Sequence, residues 1–376
     1  MPSDGLTLPQ FDSIAFCGGS AKGPYQIGVW KALEDLRLTQ SVRAVSGASV
    51  GALNAVLFAL GDLRKAREIW FSVRQDTVFT EKAAISAGLF SRDGLLNILN
   101  RLDLQSLKHS PVDVYCNILE LGADRAVGVK INRLPVWKQK DVLLATSALP
   151  IVYENVKIDG KRYMDGGFVP ADNVPVEVLY QHGRRNILIS SLSERFRFNP
   201  QSGFLKHTDL SETCKGASLF VISPLESLNA SPLNEVLDIP DFDFSPRAVR
   251  AKMIAGYQDA RKLLLKEGIY MMRNDYAKIN SYIRFKMLEV FKSGDEIQTF
   301  LSTTNFSLFN IPMRMKGFYS DLVNIDGWRV QQDNLLKRHY RILDPNGVCR
   351  AYTFSPNSII AALDSYDSVK RFMDMP

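Results

Sequence analysis

Gly47-Ala48-Ser49-Val50-Gly51 is the stretch that most limits what this chain can become. Before it, Val42-Arg43-Ala44-Val45 is largely apolar and partly β-branched, as a buried strand requires. After it, Ala52 to Leu60 is apolar on nearly every face, the pattern of a buried helix. A serine between such elements predicts a sharp turn, and its small neighbours leave room for a strained backbone. The turn lifts the serine Oγ above the sheet edge and places a helix N-terminus beneath it, where backbone N–H groups favour developing negative charge. An acyl-transfer nucleophile needs this environment. The other reading of the same five residues is a small-residue turn where a helix packs closely on a strand, so context has to decide.

The residues ahead of this turn supply context. Ile14-Ala15-Phe16-Cys17 reads as a first strand and runs into Gly18-Gly19-Ser20-Ala21-Lys22-Gly23. A helix follows from Pro24, with Ile27, Trp30 and Leu33 on its core face. Strand, glycine loop, helix, strand, serine turn, helix is the rhythm of a parallel α/β sheet. The glycine loop lacks the G-x-G-x-x-G order of a dinucleotide site and the G-K-[ST] ending of a Walker loop. Adjacent strands would bring it to the same sheet edge as Ser49. Its glycines then let backbone N–H groups crowd toward the serine as an oxyanion hole, and Lys22 adds positive charge or is simply a solvated lysine.

Further along, residues 62–73 and Asp93–Leu102 read as helices, Val112–Leu119 and Ala126–Ile131 as strands, and Asp141–Leu149 as a short helix stopped by Pro150. Val156-Lys157-Ile158, Asp159-Gly160 and Arg162-Tyr163-Met164 form a predicted hairpin that delivers Asp165-Gly166-Gly167. Ile187–Leu192 and Leu219–Ile222 are further buried-strand candidates, and Ser245-Pro246 opens a helix expected to reach about Gly268.

Ser49 needs a base. The chain order Ser…Asp…His is available through His182, His207 and His339, but only one strand precedes the nucleophile's strand, and no histidine carries matching loop cues. Asp165 is the better partner. A carboxylate is a poor base in water, yet in a dry site within hydrogen-bond reach it can take the serine proton as tetrahedral charge forms. Read alone, Asp165-Gly166-Gly167 is equally a loop after a hairpin.

Taken together and in this order, Gly18–Gly23, Gly47–Gly51 and Asp165–Gly167 resemble the three signatures of patatin-like phospholipases, and Ser147-Ala148-Leu149-Pro150 before the aspartate adds to the likeness. The resemblance extends over roughly residues 12–265. It implies a three-layer α/β sandwich whose central, mostly parallel sheet is flanked by helices, with residues 12–268 as the catalytic domain. It also implies a Ser49–Asp165 dyad without histidine and an oxyanion hole from Gly18, Gly19 and Ser20. Lys22, Gly166 and Gly167 would lie at the substrate, membrane phospholipid esters, with no cofactor. Ser20 stands where the family has a third loop glycine, so its Cβ would narrow the approach.

Composition sets the remaining bounds. Four scattered cysteines without C-x-x-C or neighbouring histidine indicate neither a zinc site nor a disulfide scaffold. No signal-like N-terminus and no apolar run of membrane-spanning length is visible, which leads to the expectation of a cytoplasmic protein that touches membranes peripherally. A net charge of +6 favours an anionic membrane surface or nucleic acid and proves neither; with the lipid-hydrolase resemblance, nucleic acid is not an expected partner. The segment Phe306–Tyr319, carrying Arg314 and Lys316 among Phe, Met and Ile, reads either as a membrane-contact lip or as core. Residues 269–376 read as a mainly helical accessory extension, either regulatory, with an activator, or extra packing and a homo-oligomer surface. Function therefore divides between a lipid acyl hydrolase, constitutive or a switched membrane-damaging effector, and a non-catalytic lipid-binding or scaffold module on the same fold. A nucleotide-binding α/β protein is a distant third.

Overall fold

The computed structural model describes residues 8–74, 80–86, 88–150, 152–169, 172–193, 210–225, 227–228, 242–264, 276–303, 318–335, 337, 339–353 and 356–373. The chain packs as two units, Met1–Leu265 and Lys266–Pro376.

In the first unit, β1 (Ser13–Phe16) leads through the glycine loop and a 3-10 turn (Ser20–Lys22) into α1 (Pro24–Asp35). Next come β2 (Ala44–Ala48), α2 (Val50–Leu60) and α3 (Leu63–Ser72), the last capped by Asp62, whose side chain accepts from Lys65 N at 2.8 Å. A hairpin of β3 (Thr80–Ser86) and β4 (Gly88–Ser91) precedes α4 (Asp93–Asn100), then β5 (Asp113–Glu120) and β6 (Val127–Lys130). Further along lie α5 (Val136–Thr146), β7 (Val156–Ile158), β8 (Lys161–Asp165), α6 (Glu177–Gln181), β9 (Asn186–Ser190), β10 (Ser218–Ile222) and α7 (Pro246–Leu264). Helix α5 begins five residues before the expected Asp141, directly after Pro135; its buried Gln139 lies on the same face as Val142, Leu143 and Thr146, so the buried face reaches back into the added turn. Asp159 and Gly160 take φ of 48° and 85°, the two left-handed residues that a tight hairpin turn needs.

The main sheet has eight strands in the order β10-β9-β1-β2-β5-β8-β7, with β6 also on β5. The pairs β9/β10, β1/β9, β1/β2 and β2/β5 are parallel; β5/β6, β5/β8 and β7/β8 are antiparallel. This is the expected mostly parallel sheet flanked by helices. The strand order reverses at β1, with β2 on one side and β9 on the other, and a crevice outside the C-terminal strand ends at such a point is where α/β sheets bind ligands. Registers pair Phe16 with Gly47, Ala48 with Asn117, and Ile118 with Asp165. The glycine loop, Ser49 and Asp165 thus meet at one sheet edge although well over a hundred residues separate the first from the last.

Helices α1 and α7 cross backbone to backbone. A Cβ on Gly28 would stand 1.9 Å from Met253 O, and one on Gly256 would stand 1.9 Å from Tyr25 O. Tyr25 Oη reinforces the crossing by donating to Asp259 Oδ2 at 3.2 Å.

The second unit holds α8 (Tyr276–Val290), α9 (Gly294–Thr303), α10 (Pro356–Met373) and a four-stranded antiparallel sheet, β11 (Tyr319–Ile325), β12 (Trp328–Asp333), β13 (Tyr340–Leu343) and β14 (Cys349–Thr353). Ile283, Met287, Phe300, Val330, Ile342 and Leu363 form its core between helices and sheet. The helices match the expected helical extension; the sheet is an addition to it. On its other face Arg341 stacks on Tyr319 at 3.7 Å and donates to Gln331, so polar residues are buried where strand alternation is read from polar exposure. Arg314 and Lys316 of the expected lip, His207 and the expected helix end at Gly268 lie outside the described residues; Phe318, at the lip's end, is exposed. No described helix is long and apolar enough to cross a membrane.

Candidate active site

Ser49 takes φ 53° and ψ −129°, a conformation that an L-residue rarely adopts. Two close approaches impose it. A Cβ on Gly47 would meet Ala52 N at 2.4 Å, and one on Gly51 would meet Phe16 O at 2.2 Å, so α2 must leave the sheet at once and hug β1 and β2. Strain of this kind costs about 1–3 kcal/mol. Helix α2 is buried from Gly51 to Ala59, and each large apolar side chain there contributes a similar ~1.5–3 kcal/mol, so packing easily holds the turn. Ser49 N–H is fixed separately by Thr146 Oγ1 at 3.0 Å.

Asp165 ends β8 and is wholly buried. Its Oδ1 accepts Gly167 N–H at 2.7 Å. Burial raises its pKa from 3.8 to about 7, against the lowering pull of the Ser49 hydroxyl and the Gly167 N–H. The Ser49 hydroxyl is thus near enough to act on the carboxylate, yet Oδ2 has no partner at full hydrogen-bond geometry. Gly166 packs over β5, where a Cβ would lie 2.2 Å from Asn117 O. Gly166 and Gly167 thus let the chain turn tightly against β5 and against the carboxylate they follow.

Around the glycine loop, several backbone carbonyls are held by a buried side-chain network. Gln26 Nε2 donates to Cys17 O (2.9 Å) and Ser190 O (3.0 Å), while Asn54 Nδ2 donates to Gly23 O (2.9 Å) and Gln26 Oε1 (2.7 Å). Trp70 Nε1 closes this buried network on Asn54 Oδ1 at 2.9 Å. Gly18 N–H is donated to Asn173 Oδ1 at 3.0 Å. Of the expected oxyanion donors Gly18 is thus engaged, while the N–H groups of Gly19 and Ser20, like that of Ala21 after them, have no acceptor among the described residues. Ser20, at φ 52°, occupies the left-handed region that favours glycine. Lys22 is half-buried at the end of the turn and does not line the cavity described next.

An apolar cavity of about 90 Å³ opens beside Ser49, with Leu53, Trp70, Ile98, Leu149 and Phe244 among its walls and Ser20, Ser49 and Ser147 as its polar lining. The described histidines are elsewhere. His109 is exposed, His182 bonds Val178 O through Nδ1 and stacks on Tyr115, and His339 belongs to the second unit. No trio of metal-ligating side chains gathers among the described residues. Thr146 and Asn173, which hold Ser49 and Gly18, were invisible to sequence reasoning. The only cue was their place in Ala145-Thr146-Ser147 and Asp172-Asn173-Val174-Pro175, flanking the aspartate hairpin on either side.

Residues 14–180 match the family model described as patatin-like phospholipase. No curated protein matches the chain. Among solved structures, VipD from Legionella pneumophila aligns at 12% identity and TM-score 0.34, over 78% of this chain and 79% of its own. The type III effector protein ExoU aligns at 12% identity and TM-score 0.29, over 80% and 70%. ExoU in complex with SpcU, from Pseudomonas aeruginosa, gives 12% identity and TM-score 0.29, over 80% and 69%.

Proposed function

We propose, from the premise that residues 14–180 are a patatin-like phospholipase domain, that this protein is a lipid acyl hydrolase of phospholipase A type. It cleaves carboxylic esters of membrane glycerophospholipids through Ser49 and Asp165. The observation that carries the reading is the pairing of a strained, helix-capping serine with a wholly buried carboxylate poised near neutral pH, at the mouth of an apolar cavity.

The acyl chain lies in the cavity with its carbonyl carbon over Ser49 Oγ. As Oγ attacks, its proton passes to Asp165 Oδ2, the carboxylate oxygen without a partner. The carbonyl oxygen becomes an oxyanion facing the N–H groups of Gly19 and Ser20 and the N-terminus of α2. Collapse of the tetrahedral intermediate breaks the ester C–O bond, and Asp165 returns its proton to the leaving lysolipid alcohol. Water, deprotonated by Asp165, then attacks the acyl-serine, releasing fatty acid and restoring Ser49.

Incubation with mixed phospholipid vesicles tests this, with mass spectrometry of the products. Wild type should release fatty acid and lysophospholipid in equal amounts, while Ser49→Ala and Asp165→Asn, both folded, release neither. Vesicle binding without hydrolysis by wild type would move the assignment to a lipid-binding module on this fold.

A further inference from the structure

We infer that Lys252, on α7, is a positioning residue that ties the oxyanion-binding turn to the wall of the acyl cavity. The inference rests on the acyl-hydrolase reading above and adds a residue to it that no sequence motif marks.

Lys252 is only 5% exposed. Burying an ammonium is costly unless it is well hydrogen-bonded, and a methionine of similar length would fill the same space without that cost. What the ammonium holds is therefore informative. Its Nζ donates to Ala21 O at 3.1 Å and to Asp243 O at 3.1 Å.

Ala21 is the middle residue of the turn Ser20–Lys22. Three neighbouring carbonyls are held from within the turn and the start of α1: Gly19 O by Lys22 N (3.1 Å), Ser20 O by Gly23 N (3.3 Å), and Gly23 O by Gln26 N (3.0 Å). The carbonyl of Ala21 is anchored from a helix 231 residues away. Fixing its peptide plane fixes the turn, and with it the direction of the unpaired Gly19 and Ser20 N–H groups.

Asp243 stands between Phe242 and Phe244, both of which line the cavity beside Ser49. One buried cation thus holds both the donors for the oxyanion and the apolar wall for the chain. A charge-assisted hydrogen bond to each carbonyl is about twice as strong as a neutral one, which suits a tie between two loops. Donors misplaced by a fraction of an ångström weaken binding in the transition state and leave ground-state binding alone, so the effect belongs in kcat.

The test compares wild type and Lys252→Met by three readouts. They are the labelling rate of Ser49 by a fluorophosphonate, kcat and KM on p-nitrophenyl butyrate, and the kcat/KM ratio of p-nitrophenyl palmitate to butyrate. Lys252→Met, with a native circular dichroism spectrum, should label 10- to 100-fold more slowly, lose kcat with KM on butyrate unchanged, and show a lower palmitate-to-butyrate ratio. Wild-type values in folded Lys252→Met would overturn the inference and leave the hydrolase reading standing. If Lys252→Met does not fold, Lys252→Arg carries the test. A guanidinium cannot place its N–H groups on both carbonyls with the same geometry, so slower labelling at unchanged KM is expected, and wild-type kinetics there would make Lys252 merely structural. Wild type that neither labels at Ser49 nor turns over ester would remove the hydrolase reading, and this inference with it.

Discussion

At the residue scale, the base proposed here, Asp165, is the group expected to set the working pH. Its pKa near 7 means the carboxyl is a base only when ionised, so kcat/KM on a soluble short-chain ester should fall as pH drops through about 7. A profile flat down to pH 5 would remove Asp165 as the base. The same burial has a stability consequence of opposite sense. Because the folded pKa lies above the unfolded 3.8, the native state loses stability as pH rises from about 4 to about 7, and the loss is complete above that. The gap corresponds to a ceiling of about 4 kcal/mol. Asp165→Asn should therefore be inactive and more stable than wild type at pH 8, with the difference vanishing near pH 3.5 in denaturant melts. Ser49 shows the same exchange of stability for function. Ser49→Gly relieves the φ 53° strain that Ser49→Ala retains, so the glycine variant should be the more stable of two inactive proteins by about 1 kcal/mol. Equal midpoints would mean that the elbow is not strained.

At the element scale, the crossing of α1 and α7 decides whether Lys252 reaches the glycine loop at all. The helices approach through Gly28 and Gly256, each closed against the partner's backbone. Gly256→Ala places a methyl against Tyr25 O, which cannot yield as a side chain would, and should destabilise by about 3 kcal/mol in chemical denaturation. Activity of the surviving folded fraction should fall as well, because Lys252 sits one turn of α7 from the crossing. An unchanged midpoint would show that the two helices can separate freely at this point. Helix α2 is set differently: its apolar surface is buried from end to end, so its entry turn tolerates strain without loss of the fold.

At the scale of the whole molecule, the charge balance bears on how a buried ester is found. A net charge of +6 makes docking at an anionic surface the expected route to the proposed substrate. Turnover on anionic vesicles should exceed that on zwitterionic ones at low salt and converge at high salt, where the Debye length falls to about 3 Å at 1 M. Arg314→Glu with Lys316→Glu should reduce that preference if the segment around them is the contact; a preference left intact would place the docking surface elsewhere on the molecule. Equal rates on both lipids at every salt concentration would show that net charge has no part in substrate encounter.

What was legible in the sequence was whatever is encoded locally. The apolar runs around Ser49, the glycine loop after β1 and the Asp159-Gly160 turn each carry backbone constraints within a few residues, so strand, elbow and hairpin could be read directly. Their order, set beside the patatin-like signatures, led to the mostly parallel sheet and to Ser49 and Asp165 as partners. Only tertiary structure decided how these parts are held. Asn173 takes the Gly18 N–H, Thr146 takes the Ser49 N–H, and Lys252 takes the Ala21 carbonyl, each across 97 or more residues of chain. Such bonds leave no period or spacing behind, because a lone Asn, Thr or Lys is equally at home on a solvated surface. The second unit's sheet escaped for a related reason: Gln331 and Arg341 are buried through a stacked ring and mutual hydrogen bonds, and sequence alternation registers polarity, whereas burial of this kind depends on which polar groups find one another.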